Sequence, residues 1–383
     1  MPYEVKFGDN LPAGYSMTAI RGGGTVQVSV REFVSSEDGD LFISRLEGIP
    51  QSLISMLPQS AGITPSVVDH LLAIIRRDRT GTIYVNELKT SLLMRTRRED
   101  KAGDFIYLKD VIDIDRMRFE GVDIPDDAGI AVLFSVGWRK GLYYDLNPTG
   151  HNPVPRNYDL EVALGQYYAY LLFQDLFKIS EQDWKEFIKQ KWFPFIYLGQ
   201  PLLKRMIEHV RAGWQLDDLL DEIATETKCL LEESRAVWRD NPYISDHVEL
   251  IERAADRYLN NDFISTASIL FPRIEGIMRA YRRVVGIKHR PTGSNLAKAV
   301  VEKDANDRHA ATYLLPESFR HYLENVYFAE FKDGQEAQMS RHSMAHGEVK
   351  PDQFSRKSAT IGFLLLYQLA LFLKPEKKWV NRK

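Results

Sequence analysis

The chain has 383 residues, of which 44% are hydrophobic and 27% charged. That balance belongs to a folded protein and excludes a disordered or collagen-like chain, and the length allows two or three domains, each with its own core. With 50 Lys plus Arg against 53 Asp plus Glu, the formal net charge is -3. A nucleic-acid partner would therefore have to be met by a local basic patch, not by the charge of the whole chain.

Cys229 is the one cysteine, which rules out an internal disulfide and a cysteine-built zinc cluster. It stands between Lys228 and two leucines and reads as an ordinary helix residue. The first residues lack the charged-then-apolar plan of a signal peptide. The most apolar stretch, 359–373, is too short to span a bilayer and contains Gln368, so it predicts a buried helix. The expectation is a cytoplasmic protein with no membrane association.

In chain order, residues 1–150 read as a mixed α/β module of unassigned role. Residues 25–30 alternate in polarity, as a half-buried strand does. Residues 68–75 read as part of a short helix, and 78–81 as a turn before the strand-like 82–85. Residues 130–136 and 142–146 predict two strands around a short turn. Arg21-Gly22-Gly23-Gly24 lacks the Lys-Ser/Thr ending of a phosphate loop and reads as a tight turn. Trp138, Tyr143 and Tyr144 could stack on a ligand, but hairpin aromatics more often build a core. Residues 147–156 hold three prolines and a glycine among short polar residues, and predict a linker.

From 157 onward the periodicity is helical. A middle region, 157–244, carries predicted helices over 160–177, 183–195, 201–214 and 217–238. A helix over 246–259 opens the last region, 245–383, and Asn260-Asn261-Asp262 predicts its break and the next cap. Ile264, Ala267, Leu270, Phe271, Ile274 and Ile277 recur at three-to-four spacing and define the helix that follows. Pro272 lies inside it and predicts a bend or loosening, because it removes one amide donor. Pro316 can open a further helix, with Lys332-Asp333-Gly334 as its end. A last helix is predicted over 354–373, stopped by Pro375. The fold class is thus α+β: an N-terminal mixed α/β module, then a mainly α-helical region ending in a helical bundle.

Between those last two helices lies Ser340-Arg341-His342-Ser343-Met344-Ala345-His346-Gly347. It resembles the motif of the HEPN superfamily: an arginine, a polar residue, three variable residues and a histidine. Arg341, His342 and His346 fill those places. The segment Phe271-Pro272-Arg273-Ile274-Glu275-Gly276-Ile277 also resembles an earlier core helix of such proteins in bacteria. The resemblance covers roughly 245–373 and no named family is recognised in the N-terminal half.

The resemblance implies a small helical bundle and a metal-independent endoribonuclease without cofactor, of a kind suited to stress or phage defence. RNA is cut without a metal when its own 2'-hydroxyl attacks the neighbouring phosphate. A histidine near its usual pKa can move the proton, and an arginine fork can neutralise the phosphate oxygens. Arg341 would be the clamp and His346 the general acid or base, with His342 one turn away as a second group. The resemblance also implies a homodimer that pairs two motifs in one site. RNA contacts are expected from Arg273, Arg279, Arg282, Arg283, Lys288, His289 and Arg290, along one helix and its exit.

The same residues have quieter readings. Arg341 could pair with Glu336 or Glu348 and fix a helix end, and His346 beside Gly347 suits a helix C-terminus. His342 and His346 could share a metal ion only by recruiting Glu348 or His309. The competing whole-protein reading is a non-enzymatic interaction or RNA-binding bundle.

Overall fold

The structure is a computed structural model. It describes residues 2–8, 11–58, 62–150, 152–233, 235–288, 290–307, 312–330 and 338–373. The α+β class is observed: a strand-rich N-terminal region precedes a helical one. The chain forms two compact units, one of Met1–Leu93 with Asp115–Phe173, the other of Met94–Ile114 with Gln174–Lys383.

The first unit is built on a six-stranded sheet. In chain order its elements include β1 (Tyr3–Lys6), β2 (Tyr15–Ser16), β3 (Val28–Ser29), β4 (Arg31–Ser35) and α1 (Asp40–Ser55). Then come β5 (Leu71–Ile75), β6 (Thr80–Val85), β9 (Gly129–Val136), β10 (Arg139–Asp145) and α2 (Leu160–Leu172), while β7 (Thr90–Thr96) and β8 (Val111–Phe119) are each divided by the unit bounds, at 93/94 and 114/115. The sheet order is β1-β6-β5-β9-β10-β4, every pair antiparallel. β2 pairs with β3, and β7 with β8, as separate two-stranded ribbons.

Both faces of the six-stranded sheet are covered. Leu71, Ala73 and Ile75 join one core, with Phe42, Ile49 and Leu53 of α1. Leu72 and Ile74 join the other, with Leu164 and Leu171 of α2. A strand buried on both faces has no polar side to show, so its sequence loses the alternation that marks a half-buried strand. That is why 68–75 reads as helix, whereas 71–75 is the fully buried strand β5. The strand expected over 25–30 shrinks to the two residues of β3, and the main sheet is joined next door by β4. The hairpin expected over 130–146 is β9 and β10, with Tyr143 and Tyr144 buried and Trp138 exposed.

Of the expected linker over 147–156, both ends are anchored in this unit while 152–155 are exposed. Asp145 accepts from the backbone and side-chain amides of Asn147, and Pro148 is buried. Arg156 is buried too, donating to the carbonyls of Ala128 at 2.8 Å and Pro125 at 3.3 Å. Composition signals irregular backbone here, but a buried guanidinium that bonds two carbonyls anchors the end of the segment.

The second unit is helical: α3 (Gln174–Phe177), α4 (Glu181–Lys189), α5 (Gln200–Ala212), α6 (Leu220–Glu233), α7 (Ala236–Arg239) and α8 (Val248–Leu259). They are followed by α9 (Phe263–Val284), α10 (Gly293–Asp307), α11 (Pro316–Tyr322), α12 (Arg341–Ala345) and α13 (Arg356–Phe372). A single π-helical turn, Leu323–Tyr327, continues α11. The helix expected over 183–195 stops early. Lys191 takes φ 60°, and Phe193 and Phe195 are buried beyond the helix end. Asp262 caps α9 through the Ser265 amide at 3.0 Å, and α9 runs through Pro272 to Val284. The expected stops at 332–334 and Pro375 lie outside the described residues.

α13 is the centre of this unit. Every residue from Ser358 to Phe372 is buried, so the apolar run is an interior helix, and among the described residues no helix is long and apolar enough to cross a membrane. Its polar groups find partners inside. Gln368 accepts from the Ile196 amide at 3.2 Å, the Tyr367 hydroxyl donates to the Leu230 carbonyl at 2.8 Å, and Thr360 meets the Tyr258 hydroxyl at 2.7 Å.

In the first unit, Gly165 of α2 lies against the backbone of β8. A Cβ there would come within 2.7 Å of Arg116 Cα. A strand backbone cannot give way as a side-chain tip can. Gly165→Ala is expected to cost about 1–3 kcal/mol, as overpacking does. Urea unfolding checks this, and an unchanged midpoint would refute the close approach.

Candidate functional site

Arg341, His342 and His346 all belong to a single helical turn in the second unit. Ser340 starts it with a capping box: its hydroxyl accepts from the Ser343 amide at 3.1 Å, and its own amide donates to Ser343 Oγ at 2.9 Å. The Ser340 hydroxyl lies 2.8 Å from the Ala329 carbonyl, to which it can donate, tying the turn to the chain just after the π-helical turn. A capping serine is what satisfies amides that a helix start leaves free.

The other end is closed by a glycine. Gly347 has φ 76°, its amide donates to the Met344 carbonyl at 3.2 Å, and the Glu348 amide donates to the Ser343 carbonyl at 3.0 Å. This is the Schellman pattern, and it needs a residue without a Cβ penalty at positive φ. His346 is the last residue before that glycine and is exposed. Its amide donates to the His342 carbonyl at 3.1 Å, so the two histidines stand one turn apart, as their spacing predicts.

Arg341 is paired with a carboxylate far from it in sequence. Its Nε lies 2.6 Å from Glu275 Oε2 in an ion pair, while Glu336 is outside the described residues. Glu275 Oε1 also accepts from Arg279 Nε at 2.6 Å. One carboxylate of α9, mostly shielded from solvent, thus holds an arginine of its own helix and the first residue of α12. Behind them Tyr327 is buried, and its hydroxyl donates to the Phe271 carbonyl. Burial first, then the Glu275 carboxylate, pushes this phenol well above its usual range, so it stays protonated and keeps donating. His342 is half-buried, its ring edge-on to Phe328 with centroids 6.4 Å apart.

The expected basic face lies on α9 and just beyond. Leu270, Phe271, Ile274, Ile277, Met278 and Tyr281 point into the core. Arg273, Arg279, Arg282 and Arg283 fall off that stripe, and Lys288 and Arg290 are exposed after the helix. His289 is outside the described residues. The pairing through Glu275 brings Arg341 to this face. Neither the meeting of these two segments nor the carboxylate between them is marked by local sequence spacing.

His247 is likewise unmarked in the sequence. This half-buried residue ends a short 3-10 turn before α8 and rests on Gly276 of α9, where a Cβ would lie 3.3 Å from its Cε1. Burial, and then the Arg273 and Arg283 charges, lower its pKa below the ordinary histidine value, with Asp246 opposing. Only packing reveals this, since His247 lies far from the motif in sequence. Among the described residues no three His, Cys, Asp or Glu side chains gather as metal ligands.

Compared with protein-family models, with curated proteins and with solved structures, the chain matches none.

Two outcomes are expected from this geometry. Gly347→Ala should open the turn by about 1–2 kcal/mol, the cost of left-handed backbone for an L-residue. Amide exchange across 343–348 should then speed up, and unchanged protection would refute the cap. An NMR titration should place His247 below about 6.5, the free-histidine value, with Arg273→Ala moving it upward. Because folding lowers this pKa, the group's contribution to stability is present above the unfolded value. It is lost as pH falls through the folded one. A His247 titration at or above the free value would refute the assignment.

Proposed function

We propose that the protein is a metal-independent endoribonuclease of the HEPN type, working as a homodimer on RNA. The observation that carries this reading is one helical turn that ends in an exposed His346 and begins with Arg341 held on the arginine-rich face of α9. The motif resemblance supplies the chemistry, and the geometry is compatible with it.

In this reading the phosphate backbone is drawn to Arg273, Arg282, Arg283, Lys288 and Arg290. Arg341 clamps the phosphate oxygens at the scissile bond as charge builds on them. Glu275 keeps the Arg341 side chain oriented, as a carboxylate partner fixes a guanidinium plane. The RNA 2'-hydroxyl loses its proton and attacks phosphorus, and the 5'-oxygen leaves with a proton. His346 performs one of those transfers. His342, or the same motif of a second copy, supplies the other.

A second reading has an observation of its own. Glu275 already neutralises Arg341, as it would if the pair served only to fasten α12 to α9 in an RNA-binding or interaction bundle.

Cleavage of mixed total RNA in EDTA separates the two. The wild type should cut. His346→Ala should lose roughly 100- to 10,000-fold, the usual contribution of general acid–base catalysis. Arg341→Ala should lose roughly 100- to 1,000-fold, as for other donors to developing negative charge. Circular dichroism checks that both variants are folded. RNA binding without cutting by any form would favour the interaction protein, and cutting that survives both substitutions would remove the site assignment.

A further inference from the structure

α9 carries two basic stripes, and they differ in what answers them. Spacing of three and four puts Glu275, Arg279 and Arg282 on one face. There Glu275 holds Arg279 and Arg341. The same spacing puts Arg273, Gly276, Ala280 and Arg283 on the next face round. No acidic residue of α9 belongs to that second stripe. Arg273 is half-buried and Arg283 exposed, and among the described residues neither has a carboxylate partner.

The small residues between these arginines leave room for a side chain from elsewhere, and His247 takes it. Its ring lies on Gly276, where a Cβ would be 3.3 Å from Cε1 and 3.7 Å from Nε2. The segment that carries it is fastened to α9. Tyr243 meets Tyr281 edge to face with ring centroids 5.0 Å apart, and the His247 amide donates to the Ile244 carbonyl at 2.8 Å. The charged groups around the imidazole are Arg273 and Arg283 on α9 and Asp246 beside it in the chain. A half-buried imidazole on a stripe that carries two guanidiniums resists protonation. An anion seated there would reverse that by offsetting both charges.

We infer that this second stripe holds consecutive phosphates of the RNA strand, one shared by His247 and Arg273 and the next on Arg283, and that His247 takes up a proton as the strand binds. The inference rests on the reading that α9 faces RNA, and not on cleavage. Glu275 and Gly276 are consecutive, so the stripe of His247 and the face of Arg341 stand roughly 100° apart around one turn. A strand that crosses between them covers roughly a helix diameter, within reach of a few nucleotides. A planar guanidinium fork matches two phosphate oxygens. Arg273 and Arg283 are separated by about 15 Å of helix, and exposed Lys288 and Arg290 follow. Cations spread along such a length fit a linear polyanion better than a lone carboxylate.

Fluorescence anisotropy of the full chain with a labelled single-stranded 2'-O-methyl RNA tests this, because that RNA lacks the attacking hydroxyl and stays whole. Wild-type affinity should rise as pH falls from about 8 to about 5.5, by up to roughly tenfold per unit for one proton taken up. His247→Gln should bind roughly tenfold more weakly at the acid end and show a shallower pH dependence. His342 and His346 titrate in both proteins, so the difference reads His247. Arg273→Gln should also lose roughly tenfold. The double variant should lose less than the two effects combined, because one phosphate is shared, whereas Lys288→Gln should combine with His247→Gln in full. Circular dichroism shows which variants are folded. In the wild type itself, the NMR titration of His247 should move upward when the RNA is added. A titration that stays put, wild-type affinity and pH dependence in a folded His247→Gln protein, full additivity with Arg273→Gln, or polyglutamate bound as tightly as RNA would each overturn the inference. Failure of the wild type to bind RNA would remove the ribonuclease reading with it. RNA bound with this coupling but never cut would remove that reading alone and leave the phosphate site standing.

Discussion

A helix with no face to solvent must have every polar group answered from within the protein, because an unpaired buried donor or acceptor costs about 1–3 kcal/mol. α13 is under that constraint from Ser358 to Phe372. Gln368, Tyr367 and Thr360 meet it by bonding to the Ile196 amide, the Leu230 carbonyl and the Tyr258 hydroxyl. Three separate stretches of chain are thereby fixed around one rod. α9 packs on the same rod, where Gly362 of α13 comes close to Leu270. The basic face of α9 is consequently carried on a rigid support, with its arginines turned away from the core.

On that support a single carboxylate does the positioning. Glu275 holds Arg279 on its own helix and Arg341 on α12. α12 is too short to hold its place by its own hydrogen bonds, since isolated helices of that length do not persist in water. Its caps at Ser340 and Gly347 and its ion pair to α9 substitute for length. The same ion pair that positions the guanidinium also lowers its appetite for a second anion. A phosphate has to share or displace Glu275, which gives the proposed chemistry and the purely structural reading a common starting geometry.

Much of this was legible in the sequence, and the rest was hidden for identifiable reasons. The three-to-four spacing of Leu270, Ile274 and Ile277 marked α9, Asp262 marked its cap, and Gln368 in an apolar run marked α13 as interior. The Ser340 to Gly347 segment announced itself through its residue types. By contrast β5 was hidden because burial on both faces erases the period-two pattern. Segment 147–156 looked loose because proline and glycine report local backbone, not whether a buried Arg156 finds carbonyl partners. The Glu275–Arg341 ion pair and the seat of His247 on Gly276 are products of tertiary packing. No local spacing could announce them.

The order of the chain has a consequence for how the protein is made. Asp113 is fully buried in the second unit, where it accepts from the Thr312 hydroxyl at 3.0 Å and from the Tyr313 amide at 3.3 Å. Those partners are encoded 199 and 200 residues later. At the ~5–20 residues per second of translation, a nascent chain would carry this carboxylate for roughly 10–40 seconds before either partner leaves the ribosome. Over that interval all residues of the first unit, up to 173, have been made, while 94–114 still lacks the later helices of its own unit. An aspartate suits such a wait. Its charge keeps the segment in water early, and is answered by hydrogen bonds once the last helices arrive.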